Sequence, residues 1–221
     1  MSGRWINLLY LVPILLMSLT AHEVAHGWVA YRMGDPTAKS RGRLSLNPLK
    51  QLDMVGTLMF VITYLFWGVV FGWAKPIPVS PYYFKNRQRG MAIVGAAGPV
   101  TNFMIAVIFG VILRFVGNPL YNMGTSVGDV ILRILFTVVE INIVLGIFNL
   151  IPIPPLDGSR VLGAFLPRRA YEYWVAIDRY GFIILIVIII AFQGPVGSML
   201  FGAVKAIWHL IFLGSPIASQ F

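Results

Sequence analysis

"SLTAHEVAHGWVAYRMG", residues 18–34, places two histidines and a glutamate inside the first apolar stretch of the chain. Its reading decides the fold, because ionisable groups within a membrane span are costly and mark functional sites by default. His22 and His26 are four residues apart, so on a helix their side chains stack on one face. Two imidazoles in that register suit one metal ion. Glu23 is one position on, about 100° around the helix, where it can reach a water at the metal without being a ligand. Arg32 marks the nearby interface, which puts His26 about 9 Å and His22 about 15 Å inside it.

Working outward, the chain reads as membrane-embedded throughout. Of its 221 residues 58% are hydrophobic and only 11% are charged, with a mean hydropathy of +0.80. A soluble domain carries about 25% charged residues. No small-residue cleavage site follows the first apolar run, so the first helix is expected to stay as a span. The chain has no cysteine, which excludes disulfides, Cys-zinc sites and thiol nucleophiles together. The net charge of +9 comes from basic residues gathered in short loops between apolar runs. That is a membrane-orientation pattern rather than a nucleic-acid surface.

The apolar runs are 6–31, 54–73, 91–115, 128–150, 172–192 and 195–213. A span needs roughly 20 mostly apolar residues. Basic residues fall in 32–53, 74–90 and 151–171, and none falls in 116–127. The first three loops are therefore expected on the cytoplasmic side and 116–127 outside. With both flanks cytoplasmic, 54–73 reads as a re-entrant segment, and Gly56, Gly68 and Gly72 suit a bent path. "GRLSLNP" (42–48) and "WAKPIPVSP" (73–81) look extended, and are expected to pair as a small edge sheet. The expected fold is an all-α polytopic membrane protein. It has five to six transmembrane helices, a re-entrant segment and short membrane-associated β-strands on the cytoplasmic side. It forms one integral-membrane domain over 1–221, with a core at 6–166 and C-terminal helices over 172–213.

HExxH on a helix is the pattern of zinc peptidases whose Glu is the general base. A catalytic zinc needs a third protein ligand and an open position. Without cysteine the candidates are acids or His209. Glu140 lies within 128–150, where Arg133 on the same face can screen it. His209 stands beside Trp208 near a helix end and reads as interfacial. Topology favours Asp157, whose preceding span starts outside and ends on the histidines' side. Pro152, Pro154 and Pro155 end that span just before it. Gly158 permits a tight turn.

Three stretches in order, "HEVAH" (22–26), "GPVTN" (98–102) and "NLIPIPPLDG" (149–158), resemble the site-2 proteases, peptidase family M50. "GDPTAKSRGRLSLNP" (34–48) and "GWAKPIPV" (72–79) resemble its compact prokaryotic branch, which has no PDZ or CBS domain. The resemblance implies an intramembrane zinc metalloprotease that hydrolyses peptide bonds of membrane-spanning proteins. It implies one Zn2+ per chain on His22, His26 and Asp157, with Glu23 as general base. It also implies that Asn102 and Asn149 serve the substrate or the transition state, and that the extended stretches guide the substrate. The expected location is a prokaryotic cytoplasmic (inner) membrane, multi-pass, with the active site toward the cytoplasm. The expected partners are membrane-spanning substrates and the bilayer, with no nucleic acid. Iron or cobalt would also suit two histidines and a carboxylate. Two other classes, a zinc transporter or sensor and a catalytically silent membrane scaffold, use the same residues differently. A transport site has no need of Glu23 as a non-ligand base, and a silent scaffold has no need of the complete motif set.

Overall fold

A computed structural model describes residues 2–67, 73–191 and 193–212. Three helices in it are long and apolar enough to cross a membrane. They are α1 (Ser2–Arg32), α4 (Arg87–Asn122) and α5 (Ser126–Leu150). α4 is central: it packs against α1, α5 and the short α6 (Asp157–Gly163). Its start is fixed by Asn86, whose side chain accepts a hydrogen bond from the Arg89 N–H. Thr125 caps α5 in the same way, through the Gly128 N–H.

Two apolar clusters hold the bundle. Ala106 and Leu113 of α4 meet Val139 and Ile143 of α5 and Val204, Trp208 and Phe212 of the C-terminal end. Leu8 and Leu15 of α1 pack on Phe60 of α3 (Met54–Trp67), with Ile141 and Leu145 of α5 beside them. Elsewhere large apolar side chains such as Leu9, Met104, Phe115 and Val130 face outward, as a bilayer-embedded surface requires.

The expected β-strands are not there: no strand occurs among the described residues. Residues 43–47 and 73–80 are irregular, and the reason lies in where their backbone groups are satisfied. The Ile77 N–H donates to the Glu23 carboxylate at 2.8 Å, and the Ser80 N–H to Asp35 Oδ2 at 2.6 Å. The Gln51 side chain donates to the Arg43 and Ser45 carbonyls. Arg43 Nη2 donates to both Gln51 Oε1 and the Lys75 carbonyl. Pro76 and Pro78 have no N–H to give a ladder. Side chains thus replace the strand partner that alternation suggested.

The span count is corrected as well. Five to six crossings were expected, and three helices among the described residues meet that length. The 172–192 run is broken into α7 (Arg168–Asp178) and α8 (Gly181–Ala191). The last helix is α9 (Gln193–Ile211), of which Phe201–Ile211 is a short apolar helix among the described residues. α3 covers 14 described residues, about 21 Å, against hydrocarbon about 30 Å thick. Trp73 lies back at the start of this helix, where a Cβ on Gly56 would come within 2.2 Å of its carbonyl oxygen. The Lys75 N–H donates to the Gln51 carbonyl, so the flanks of 54–73 sit together. Residues 68–72 lie outside the described part.

Gln51 is 2% exposed and joins the two irregular stretches. Replacing it by leucine keeps the volume, strands the Arg43 carbonyl and removes one of the two acceptors of its guanidinium. Gln51→Leu is expected to cost about 1–3 kcal/mol, read as a lower thermal unfolding midpoint in detergent.

Candidate metal centre

α1 carries His22 and His26 on its inward face, 4% and 3% exposed. Asp157 arrives from the other end of the chain. α5 stops at Leu150, because Pro152, Pro154 and Pro155 cannot continue its ladder. The chain turns through Ile153–Ile151 and Leu156–Ile153 backbone bonds and restarts as α6 at Asp157. Gly158 allows this by close approach rather than by unusual torsion: a Cβ there would lie 2.2 Å from the Leu150 carbonyl oxygen. Gln88 of α4 secures the far end of α6 by donating to the Gly163 and Leu166 carbonyls. Trp174 of α7 donates to the Ser159 carbonyl.

The result is a triangle of three atoms. His22 Nε2 and His26 Nε2 are 3.0 Å apart, and Asp157 Oδ2 is 3.0 Å from the first and 3.1 Å from the second. The other ring nitrogens decide what these atoms are. His22 Nδ1 meets Asn102 Oδ1 at 2.6 Å, and His26 Nδ1 meets the Val94 carbonyl at 2.6 Å. Both partners accept, so both Nδ1 atoms carry the proton and both Nε2 atoms are lone pairs. Asp157 Oδ2, buried, has no hydrogen-bond donor. Three lone pairs converge with no donor among them, and only a cation satisfies that arrangement. The donor set of two imidazoles and one carboxylate fits zinc.

α4 is shaped to this centre. A Cβ on Gly98 would fall 2.5 Å from His22 Nε2 and from His26 Nε2, inside the triangle's own space. A Cβ on Gly95 would press on Arg160 and the Asp157 backbone. The "VGAAGPVTN" stretch (94–102) thus supplies a carbonyl, two side-chain-free positions and an amide on one helical stripe.

Each residue singled out from sequence has a definite place. His22, His26 and Asp157 come together as the one group of histidine and acidic side chains among the described residues that could hold a metal. Glu23 stays outside that group, with Oε2 held by the Ile77 N–H. Asn102 is fully buried against His22, and both ends of its amide are engaged. Asn149 is half-buried, and its amide donates to the Leu145 carbonyl of its own helix. Glu140 and His209 are exposed and take no part in the cluster.

Reading by sequence missed Asn142, Ser18, the Ile77 N–H and the role of Gly98. Asn142 was detectable as a second polar residue in the Glu140 span. The Ile77 contact was not, because a backbone donor has no sequence signature.

This combination of motif, broken helix and three-atom site defines a membrane peptidase family. The chain belongs to peptidase family M50, whose profile matches residues 10–128 and 120–192. Among its relatives is YwhC of Bacillus subtilis, provisionally named a zinc metalloprotease. It is 38% identical over 189 residues, covering 86% of this chain and 82% of the relative. Rip2 of Mycolicibacterium smegmatis, provisionally named likewise, is 30% identical over 79% of this chain. The zinc metalloprotease MJ0392 of Methanocaldococcus jannaschii is 26% identical over 72% of this chain. The chain spans 64% of the Rip2 relative and 35% of MJ0392. No solved structure matches it.

Two outcomes are expected. Gly98→Ala places a methyl group between the imidazoles and lowers zinc affinity at least about tenfold in chelator competition. Because a metal binds imidazole nitrogen and carboxylate oxygen only in their deprotonated forms, zinc occupancy should fall as the pH is lowered, read by equilibrium dialysis of the purified protein.

Proposed function

We propose that the chain is an intramembrane zinc metalloprotease acting on membrane-spanning proteins, with one Zn2+ per chain held by His22, His26 and Asp157. Its membership of a peptidase family supports peptide-bond hydrolysis, and the three helices that can cross a bilayer support a membrane location. The single observation that carries the metal reading is the convergence of three lone pairs at 3.0–3.1 Å with Asp157 Oδ2 lacking a donor. Zinc, when bound, lowers the pKa of a water to about 7 and polarises a carbonyl.

The chain's own residues do the rest. Glu23 is the general base: the Ile77 N–H fixes Oε2, which leaves Oε1 to take the proton of the attacking water and return it to the leaving amine. A carboxylate beside two histidine ligands but outside their cluster suits hydrolysis better than metal storage or transport. Asn102 is a positioning residue for His22, since neither end of its amide is left for a substrate. Asn149, near the end of α5, is the candidate for contact with the substrate backbone, by turning its amide from Leu145.

The location proposed is a prokaryotic cytoplasmic membrane, with the site reached from the cytoplasmic side. The basic loops 32–53 and 74–90 support that orientation, and His26 is the shallower ligand. The class of reaction is regulated intramembrane proteolysis.

In proteoliposomes with a single-span reporter, the zinc-loaded protein is expected to cleave, and a chelator to stop it reversibly. Glu23→Gln should lower the rate by about 10²–10⁴-fold while zinc affinity is kept. Full cleavage by that variant removes the general-base assignment. Asp157→Ala should lose both zinc and cleavage, and stoichiometric zinc at unchanged affinity removes its ligand role.

A further inference from the structure

His22 can offer Nε2 as a lone pair only while its ring proton sits on Nδ1, and a relay of two buried amides controls that proton. His22 Nδ1 meets Asn102 Oδ1 at 2.6 Å. Asn102 Nδ2 donates to Asn142 Oδ1 at 2.8 Å. Asn142 Nδ2 donates to the Val138 carbonyl at 2.8 Å and to the Ser18 hydroxyl at 2.9 Å. Both asparagines are fully buried, where an unmatched polar atom is costly.

The direction of this relay is set at its far end. A backbone carbonyl only accepts. Val138 therefore draws the Asn142 amide nitrogen toward itself, which turns Oδ1 toward Asn102. Asn102 must answer with Nδ2, so its Oδ1 faces His22. Flipping Asn102 alone would set donor against donor at Asn142 and withdraw the acceptor from His22. His26 needs no relay, because the Val94 carbonyl accepts from its Nδ1 directly.

We infer that Asn142 is a positioning residue for the metal centre. Through Asn102 it transmits the polarity of the Val138 carbonyl on α5 to the His22 ring on α1, and so keeps Nε2 as a lone pair. Asn142 makes no contact with the three converging atoms; its effect is on the tautomer. This rests on His22 being a ligand, but the tautomer is a property of the metal-free protein and can be read separately.

The chain has three histidines, so 15N-histidine NMR of the full-length metal-free protein in micelles can distinguish their rings. In the wild type His22 and His26 are both expected as the Nδ1–H form. In Asn142→Leu, His22 should populate the Nε2–H form while His26 keeps Nδ1–H and reports an intact fold. Zinc affinity by chelator competition should fall about 10–100-fold. Asn142→Asp has the same length; protonated in its apolar setting, it can donate to Val138 and accept from Asn102, and should restore both readouts. A folded leucine variant with His22 unchanged, or with wild-type zinc affinity, overturns the inference. So does a folded aspartate variant that loses the His22 form, which decides the matter even if the leucine variant does not fold. A wild type that binds no zinc would defeat the ligand reading, while the tautomer comparison still tests the relay.

Discussion

Three electron pairs pointed at one another in a helix bundle are unstable unless something positive lies between them. That constraint organises this molecule. The two imidazoles and the Asp157 carboxylate repel without a cation, and each is buried, so water cannot relieve them. The rest of the fold serves to hold them there. α4 contributes no proposed ligand, yet it gives the carbonyl that orients His26, the amide that orients His22 and the bare Gly98 surface that leaves room for an ion. The prolines that separate α5 from α6 place the Asp157 carboxylate at the start of the second helix, beside the histidines.

The second constraint is backbone hydrogen bonding in irregular chain. The 73–80 stretch has no strand partner, so distant side chains take up its N–H groups. Glu23 and Asp35 each accept one of them. Glu23 thereby has a structural duty through Oε2 beside the chemical one proposed for Oε1. The same contact ties the loop's position to the proposed general base, so that a movement of 73–80 would be felt at the carboxylate. Ile77 also sits against Gly27, one residue past His26, where a Cβ would clash with its side chain.

The fold was partly legible in the sequence. The two central spans and the histidine helix stand out, because each is a long apolar run that has to satisfy its own backbone. Asp157 was legible through the prolines before it. The edge sheet was not: alternation in 42–48 and prolines in 73–81 suggest extended chain but cannot say what satisfies it. Gln51, Arg43, Glu23 and Asp35 do, from distant positions. The run 172–192 looked continuous because hydropathy does not register the turn between α7 and α8.

By itself the sequence determined the membrane class, the pairing of His22 with His26 at one helical turn, and the placement of a carboxylate after a forced break. Those follow from composition, from 3.6-residue periodicity and from proline's missing N–H, all of them local. Tertiary structure alone decided that Asp157 meets the histidines at 3.0–3.1 Å, that Glu23 is held by a backbone N–H, and that Asn102 faces His22 with both ends of its amide engaged. It also decided that Asn142 matters. Hydrogen-bond direction passes between helices, from Val138 to Asn142 to Asn102 to His22, and nothing along a single strand of letters records which side of an amide faces which neighbour.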